Sequence, residues 1–255
     1  MILLALLLPL ILRAQEAAFP GTVRINDHLF MDKQEITNLD WKEYLSWIEK
    51  RGEGKNSSAY LGALPDTSVW EEEALRERYF QHPAYHDYPV VGVSHEQAEA
   101  YCRWRTRRVK EVFDLNNQEK PGKAFSGAFR YRLPRSVEWE LIGRRGFDRE
   151  ALRKKLEKND FNRVSEAFNV RKMGPVPGQQ SHSGPGPRPD RSFFPNTFDI
   201  YGMIGNVAEM VAEPGIAKGG SWYHPWEEQI LSKDYPYEEP QPWLGFRCIC
   251  EILDR

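Results

Sequence analysis

The chain has 255 residues, 35 Lys and Arg against 37 Asp and Glu, and a formal net charge of −2. That length, with an aromatic content of 13%, allows one large and well-buried domain. The near-balanced charge excludes the electrostatic footprint of a nucleic-acid-binding protein, and three cysteines permit one disulfide with one thiol left over.

The chain opens with "MILLALLLPLIL", an uninterrupted apolar run followed by Arg13 and Ala14. A bilayer span needs about 20 such residues, so the run has the length of a signal-peptide core and not of a membrane helix. We expect residues 1–14 to be a signal peptide and residues 15–255 to form a single exported domain in the periplasm, at the cell surface or secreted. The mature chain would have no transmembrane segment, and losing Arg13 takes its net charge from −2 to −3. No cysteine stands near the cleavage point to carry a lipid. Export also places the cysteines where disulfides persist.

Beyond the leader, "GTVRINDHLFMDKQEITN" alternates polar and apolar residues through Val23, Ile25, Leu29 and Met31, predicting two short paired strands. "TNLDWKEYLSWIEKRG" spaces Trp41, Tyr44, Leu45 and Ile48 as one helical face, with Thr37 or Asn38 as cap and Gly52 as stop. A second helix is expected after Asp66, Thr67 or Ser68, with Glu71 to Glu73 near its positive end. Val90, Val91 and Val93 predict a short buried strand. Ser94 then caps a helix with Gln97 completing a capping box, and Ala98, Tyr101, Cys102 and Val109 face inward. A further helix follows Pro134, capped by Ser136, with Trp139 and Ile142 inside. Residues 174–195 are Pro- and Gly-rich and read as an extended loop. The final third reads as short strands and Gly-rich turns.

His82 and His86 have the spacing of a helical metal pair, but Pro83 lies between them and no acidic third ligand follows, so loop structure is favoured. No phosphate loop or nucleophile elbow is present. In "KGGSW" (Lys218 to Trp222) two glycines make a tight backbone that something can approach closely, or a turn in the core. In "YGMIGNVAEM", backbone carbonyls with Asn206 and Glu209 offer oxygens of the kind calcium takes, or simply a structural turn.

Taken in order, five motifs resemble the formylglycine-generating enzyme (sulfatase-modifying factor) domain family. "DKQEITNLDWKEYL" is similar to its entry E-V-T-N motif, and "YPVVGVSHEQAEAYCRW" to P-V-x-x-V-S-W-x-D-A-x-A-Y-C-x-W. "YRLPRSVEWELIGR" resembles R-L-P-T-E-A-E-W-E, "YGMIGNVAEM" resembles Y-D-M-x-G-N-V-W-E-W, and "KGGSW" with "GFR" closes the pattern. The resemblance spans about residues 30 to 250. It implies an α+β, loop-rich fold with a C-type-lectin-like core, often with structural calcium.

It also implies chemistry. Oxidase members hold copper on two cysteines just after this glycine pair, and the ungapped counterparts here are His224 and Gln229. Imidazole and amide do not reproduce a linear dithiolate for soft copper(I), so the site at Ser221, Trp222, His224 and Gln229 reads as degenerate and copper is not expected.

Further departures are Gly202, where the family has Asp, Ala208 and Met210 in place of two Trp, and Arg135 in place of Thr. Gly205, Asn206, Val207 and Glu209 retain part of one family calcium site, and Asn169 and Val170 resemble the start of a second. Cys102 and Cys248 match positions that form a structural bridge in several members. That bridge would close about 145 residues and contribute about 4 kcal/mol. Cys250 is then a spare thiol, expected on the opposite face of the last strand.

The texture of residues 79–106 is similar to gliding-motility and type IX secretion-associated members. The resemblance therefore implies a non-catalytic component that binds a protein or envelope partner. The competing expectation is a nonhaem metal oxidase or oxygenase using His224 with Glu227 or Glu228.

Overall fold

The computed structural model describes residues 19–52, 54–122, 124–146, 168–170, 186–189, 191–193, 195–225 and 231–253. The leader (1–14), Glu227, Glu228, Gln229 and most of the 174–195 loop lie outside the described residues.

Strands β1 (Thr22–Arg24) and β2 (Leu29–Asp32) form the expected hairpin, with Val23 opposite Met31. Helix α1 (Asn38–Arg51) starts at Thr37, whose hydroxyl accepts from the Asp40 N–H while the Asp40 carboxylate accepts from the Thr37 N–H. This reciprocal cap satisfies two end donors at once. Gly52 ends the helix, and Trp41, Tyr44, Leu45 and Ile48 are its buried face.

The helix expected from Asp66 is split. Asp66 caps only a 3-10 turn at Thr67–Val69, and α3 (Glu73–Arg78) starts later; a short α2 (Ser58–Leu61) precedes both. Trp70 is held extended between the two pieces and packs its ring on Tyr79 and Trp222, so burial of a large aromatic overrides local helix propensity.

The valine strand is also revised. Val90, Val91 and Val93 are buried, but Gly92 turns into the left-handed region (φ +74) and accepts at its carbonyl from the Asp66 N–H. A Cβ at this glycine would meet the Asp66 carbonyl oxygen at 2.3 Å. Only a single bridge, Thr37 to Pro89, remains of the ladder.

Helix α4 (His95–Glu119) has the Ser94–Gln97 capping box and buries Ala98, Tyr101 and Cys102; Val109 is half-buried. β3 (Ala128–Arg132) leads to α5 (Ser136–Gly146), which buries Trp139 and Ile142. β4 (Ala208–Met210), β5 (Ile216–Lys218), β6 (Tyr235–Pro236), β7 (Leu244–Gly245) and β8 (Ile249–Leu253) complete the chain.

Two four-stranded sheets result, ordered β1-β2-β8-β3 and β6-β5-β4-β7. The first is antiparallel throughout, with the last strand between β2 and β3, so its register joins both ends of the sequence. In the second, β4 pairs antiparallel with β5 and parallel with β7. Mixed helix and sheet with extensive loop confirm the α+β class.

The largest core cluster stacks Trp41 on Tyr101 (5.5 Å) and takes in Phe19, Phe246 and the thiols of Cys102, Cys248 and Cys250. Ile249 belongs instead to the cluster around Trp139 and Met203. Cys248 and Cys250 therefore face the same side. The expectation of opposite faces fails because regular alternation carries through β8 and turns Ile249, the intervening residue, the other way. Among the described residues no helix is long and apolar enough to cross a membrane.

Candidate functional site

Beneath the Gly-rich turns lies a buried polar cluster built by β4, the short segment between β7 and β8, and the segment between β2 and α1. Glu209 and Arg247, both fully buried, form a two-point ion pair at 2.6 and 2.7 Å. The Trp139 indole N–H donates to the same carboxylate at 2.7 Å, while Arg247 also donates to the carbonyls of Asp32 and Tyr201. Such a pair holds its geometry because every charge in it has several partners.

Glu35 sits beside this pair. Burial, reinforced by the Glu209 charge and only partly opposed by Arg247, pushes its carboxyl up from 4.5 to about 7. Two buried carboxylates lie near one guanidinium, and the second is favoured in its neutral form below about pH 7.

The room for Glu35 comes from an otherwise unexplained substitution. Gly202 has φ +68, and a Cβ there would lie 2.3 Å from Glu35 Oε1. Where the family resemblance places an aspartate, this chain has a glycine, and the carboxylate reaches the same space from residue 35. Glu35 and Arg247 lie within the E-V-T-N-like and GFR motifs, but no local signal marks Arg188 or joins Glu35 and Arg247 to Glu209. The steric dependence of Glu35 on Gly202 spans 167 positions and leaves no local pattern.

Asn206 organises the loops. Its Nδ2 donates to Glu35 Oε1 (3.1 Å), and its Oδ1 accepts from Asn169 Nδ2 (3.1 Å) and from the Arg188 N–H (2.9 Å). Asn169 in turn donates to the Gly186 carbonyl at 2.9 Å. Both asparagines have positive φ (56 and 47), a conformation their short polar side chains tolerate. Gly205 is required where it stands: a Cβ there would lie 1.7 Å from the Phe168 carbonyl oxygen.

These contacts bear on calcium. Arg247 and Trp139 occupy the Glu209 carboxylate, and Asn206 and Asn169 hold one another and neighbouring backbone. Val170 and Val207 are buried apolar side chains. Of the expected calcium ligands, the Glu209 carboxylate is thus paired with Arg247 and the Asn206 and Asn169 side chains with each other, while Gly205, Val207 and Val170 have only backbone carbonyls to offer.

Above this cluster runs the Gly-Gly-Ser-Trp turn. Gly219 and Gly220 are left-handed (φ 89 and 67), and Gly219 is approached by the Met203 carbonyl and the Trp139 ring, so the close neighbour is the protein's own core. Ser221 is fully buried, with its Oγ 2.7 Å from His224 Nδ1. His224 packs against Tyr235 (4.5 Å between centroids) and Trp243 (4.8 Å), and Tyr223 stacks on Trp243 at 6.4 Å. Trp222 stacks on Trp70 at 6.3 Å.

A hydroxyl–imidazole pair can pass a proton, but burial keeps Ser221 from acting as an open nucleophile. Among the described residues no three His, Cys, Asp or Glu side chains gather to hold a metal ion. His82 caps the 3-10 turn Pro83–Tyr85 through Nδ1, and His86 Nε2 lies 3.1 Å from Lys42 Nζ, so both serve loop structure.

Cys102 and Cys248 bring their sulfurs within 3.4 Å as buried thiols, in contact but not bonded. Burial, with the neighbouring Cys102 sulfur, pushes the Cys248 thiol well up. Cys250 is also fully buried and its thiol pushed up by desolvation, which suits a packed and unreactive group.

Residues 11–252 match the "Sulfatase-modifying factor enzyme 1-like domain" family, and the chain belongs to that family. Solved structures share the fold. "Crystal Structure of CarF" matches with a TM-score of 0.53 at 18% identity, over 89% of this chain and 87% of that one. "Treponema denticola variable protein 1" matches at 0.51 and 17% identity, covering 91% of both chains. "Structure of PvdO from Pseudomonas aeruginosa" matches at 0.50 and 19% identity, over 88% of this chain and 80% of that one. No curated protein matches the chain.

Proposed function

We propose that this member of the sulfatase-modifying factor family is an exported, non-catalytic binding or structural component, engaging a protein or envelope partner of the secretion or gliding apparatus type. The observation that carries the reading is His224. It stands where the oxidase members place a thiol, and its Nδ1 is engaged by Ser221 inside a packing of Tyr235 and Trp243. The chain has no cysteine between Cys102 and Cys248 from which a dithiolate could be assembled there. Soft copper(I) chemistry therefore lacks its donors.

The direct test incubates the purified mature protein with copper and a Cys-x-Pro-x-Arg peptide and examines the peptide by mass spectrometry. No aldehyde is expected; a formylglycine product overturns the proposal. Metal analysis separates the oxygenase alternative, for which stoichiometric iron or copper would be lost on His224→Ala.

As part of the same reading, thiol–disulfide exchange with an oxidised dithiol carrier of the export compartment, which takes up the two electrons and two protons, joins Cys102 and Cys248 in a disulfide. The side chains already touch, and the cross-link would stabilise the fold chiefly by restricting the unfolded chain.

A further inference from the structure

A groove of about 550 Å³ lies between α1, α2 and the first turns of α4, and shares no lining residue with the site above. Its floor is apolar: Tyr44, Ile48, Ala63 and Ala100. At one side stands Trp47, with the guanidinium of Arg51 at 4.9 Å and that of Arg107 at 5.0 Å from its ring. The Trp47 indole N–H is buried without a hydrogen-bond partner.

The charges around the groove do not balance locally. Arg51 pairs with Glu111, which Arg108 also contacts, and Arg103 pairs with Glu99. Glu96, at the other side, accepts from the Ser94 hydroxyl and keeps its charge, so the lining carries two guanidiniums against one carboxylate. Among the described residues Arg107 has no carboxylate partner and rests only on Trp47. An apolar trough edged by a surplus guanidinium is complementary to an aliphatic chain ending in a carboxylate.

We infer that this groove binds an aliphatic monocarboxylate, with the alkyl chain on Tyr44, Ile48 and Ala100 and the carboxylate on Arg107. A backbone-only role for these residues gives no reason for an unpaired guanidinium beside an empty apolar floor. The guanidinium fixes the head group, and the length of the trough sets the chain.

The test titrates the full mature protein with octanoate, decanoate and dodecanoate below their aggregation limits, reading tryptophan fluorescence and calorimetry. Affinity should tighten by roughly fourfold for each methylene buried until the groove is filled. Decanol and decyltrimethylammonium should bind at least about tenfold more weakly than decanoate, because neither satisfies Arg107.

Arg107→Gln should lose about tenfold for decanoate with an unchanged melting temperature. Ala100→Trp, which fills the floor and keeps the charge, should abolish binding of all three acids. Equal binding of decanoate and decanol, an unaltered Arg107→Gln titration, or no saturable binding of any acid overturns the inference. So would capture of acidic peptides without decanoate, since that assigns the groove to a protein segment.

Discussion

Glu35 provides the sharpest test of how the core is balanced. In the unfolded chain its carboxyl titrates near its ordinary 4.5, and in the folded protein near 7, because burial and Glu209 outweigh Arg247. Between those values the folded state holds a proton that the unfolded state has released, so stability falls as pH rises through this window and levels off above about pH 7. The difference corresponds to about 3 kcal/mol. Glu35→Gln keeps an oxygen acceptor for Asn206 Nδ2 and carries no charge at any pH.

The variant should therefore decline less steeply than the wild type between pH 4.5 and 7, keeping only the slope of groups such as Asp32, which burial also pushes up, and should exceed the wild type by up to about 3 kcal/mol at pH 8. Urea unfolding monitored by tryptophan fluorescence, in steps from pH 4.5 to 8, measures both curves. Glu138 does not confuse the window: against the cost of burial, hydrogen bonds from Arg132 and Arg135 hold it down at about 2, so its contribution is lost only as pH falls below 4.5. A Gln variant less stable than the wild type at pH 8, with a parallel pH curve, would refute the argument that Glu35 is the surplus charge.

Arg247→Met leaves Glu209 buried and unpaired and should cost about 3–5 kcal/mol, whereas the double change with Glu209→Leu should recover much of that loss; denaturant midpoints decide. Gly202→Ala meets Glu35 and a positive φ together, and should destabilise by more in the native background than in Glu35→Ala, where the clash is removed and only the backbone strain remains. For the cysteines, protein isolated from an oxidising compartment and unfolded without reductant should show one titratable thiol. Adding reductant should raise that to three and lower the melting temperature.

Local signals were strongest where one short segment contains both partners of an interaction. The boxes Thr37–Asp40 and Ser94–Gln97, the α1 face of Trp41, Tyr44, Leu45 and Ile48, and the β1–β2 alternation all depend on residues within a turn or two of each other. The failures share the opposite property. The Asp66 helix breaks because Trp70 must reach Trp222, and the valine strand breaks because Gly92 receives Asp66. Cys250 shares the face of Cys248, against expectation, because the register of β8 is set jointly by β2 and β3.

The sequence by itself determined the family, the α+β class, the main helices and their caps, and the absence of thiols near His224, because these rest on motifs and on residue identity. Only the tertiary structure decided that Glu35 takes the space left at Gly202, that Arg247 occupies Glu209, and that Arg107 is left over on Trp47. Charge balance in a buried site is set by distance in space and by exclusion of water, and residues far apart in the chain carry no record of either.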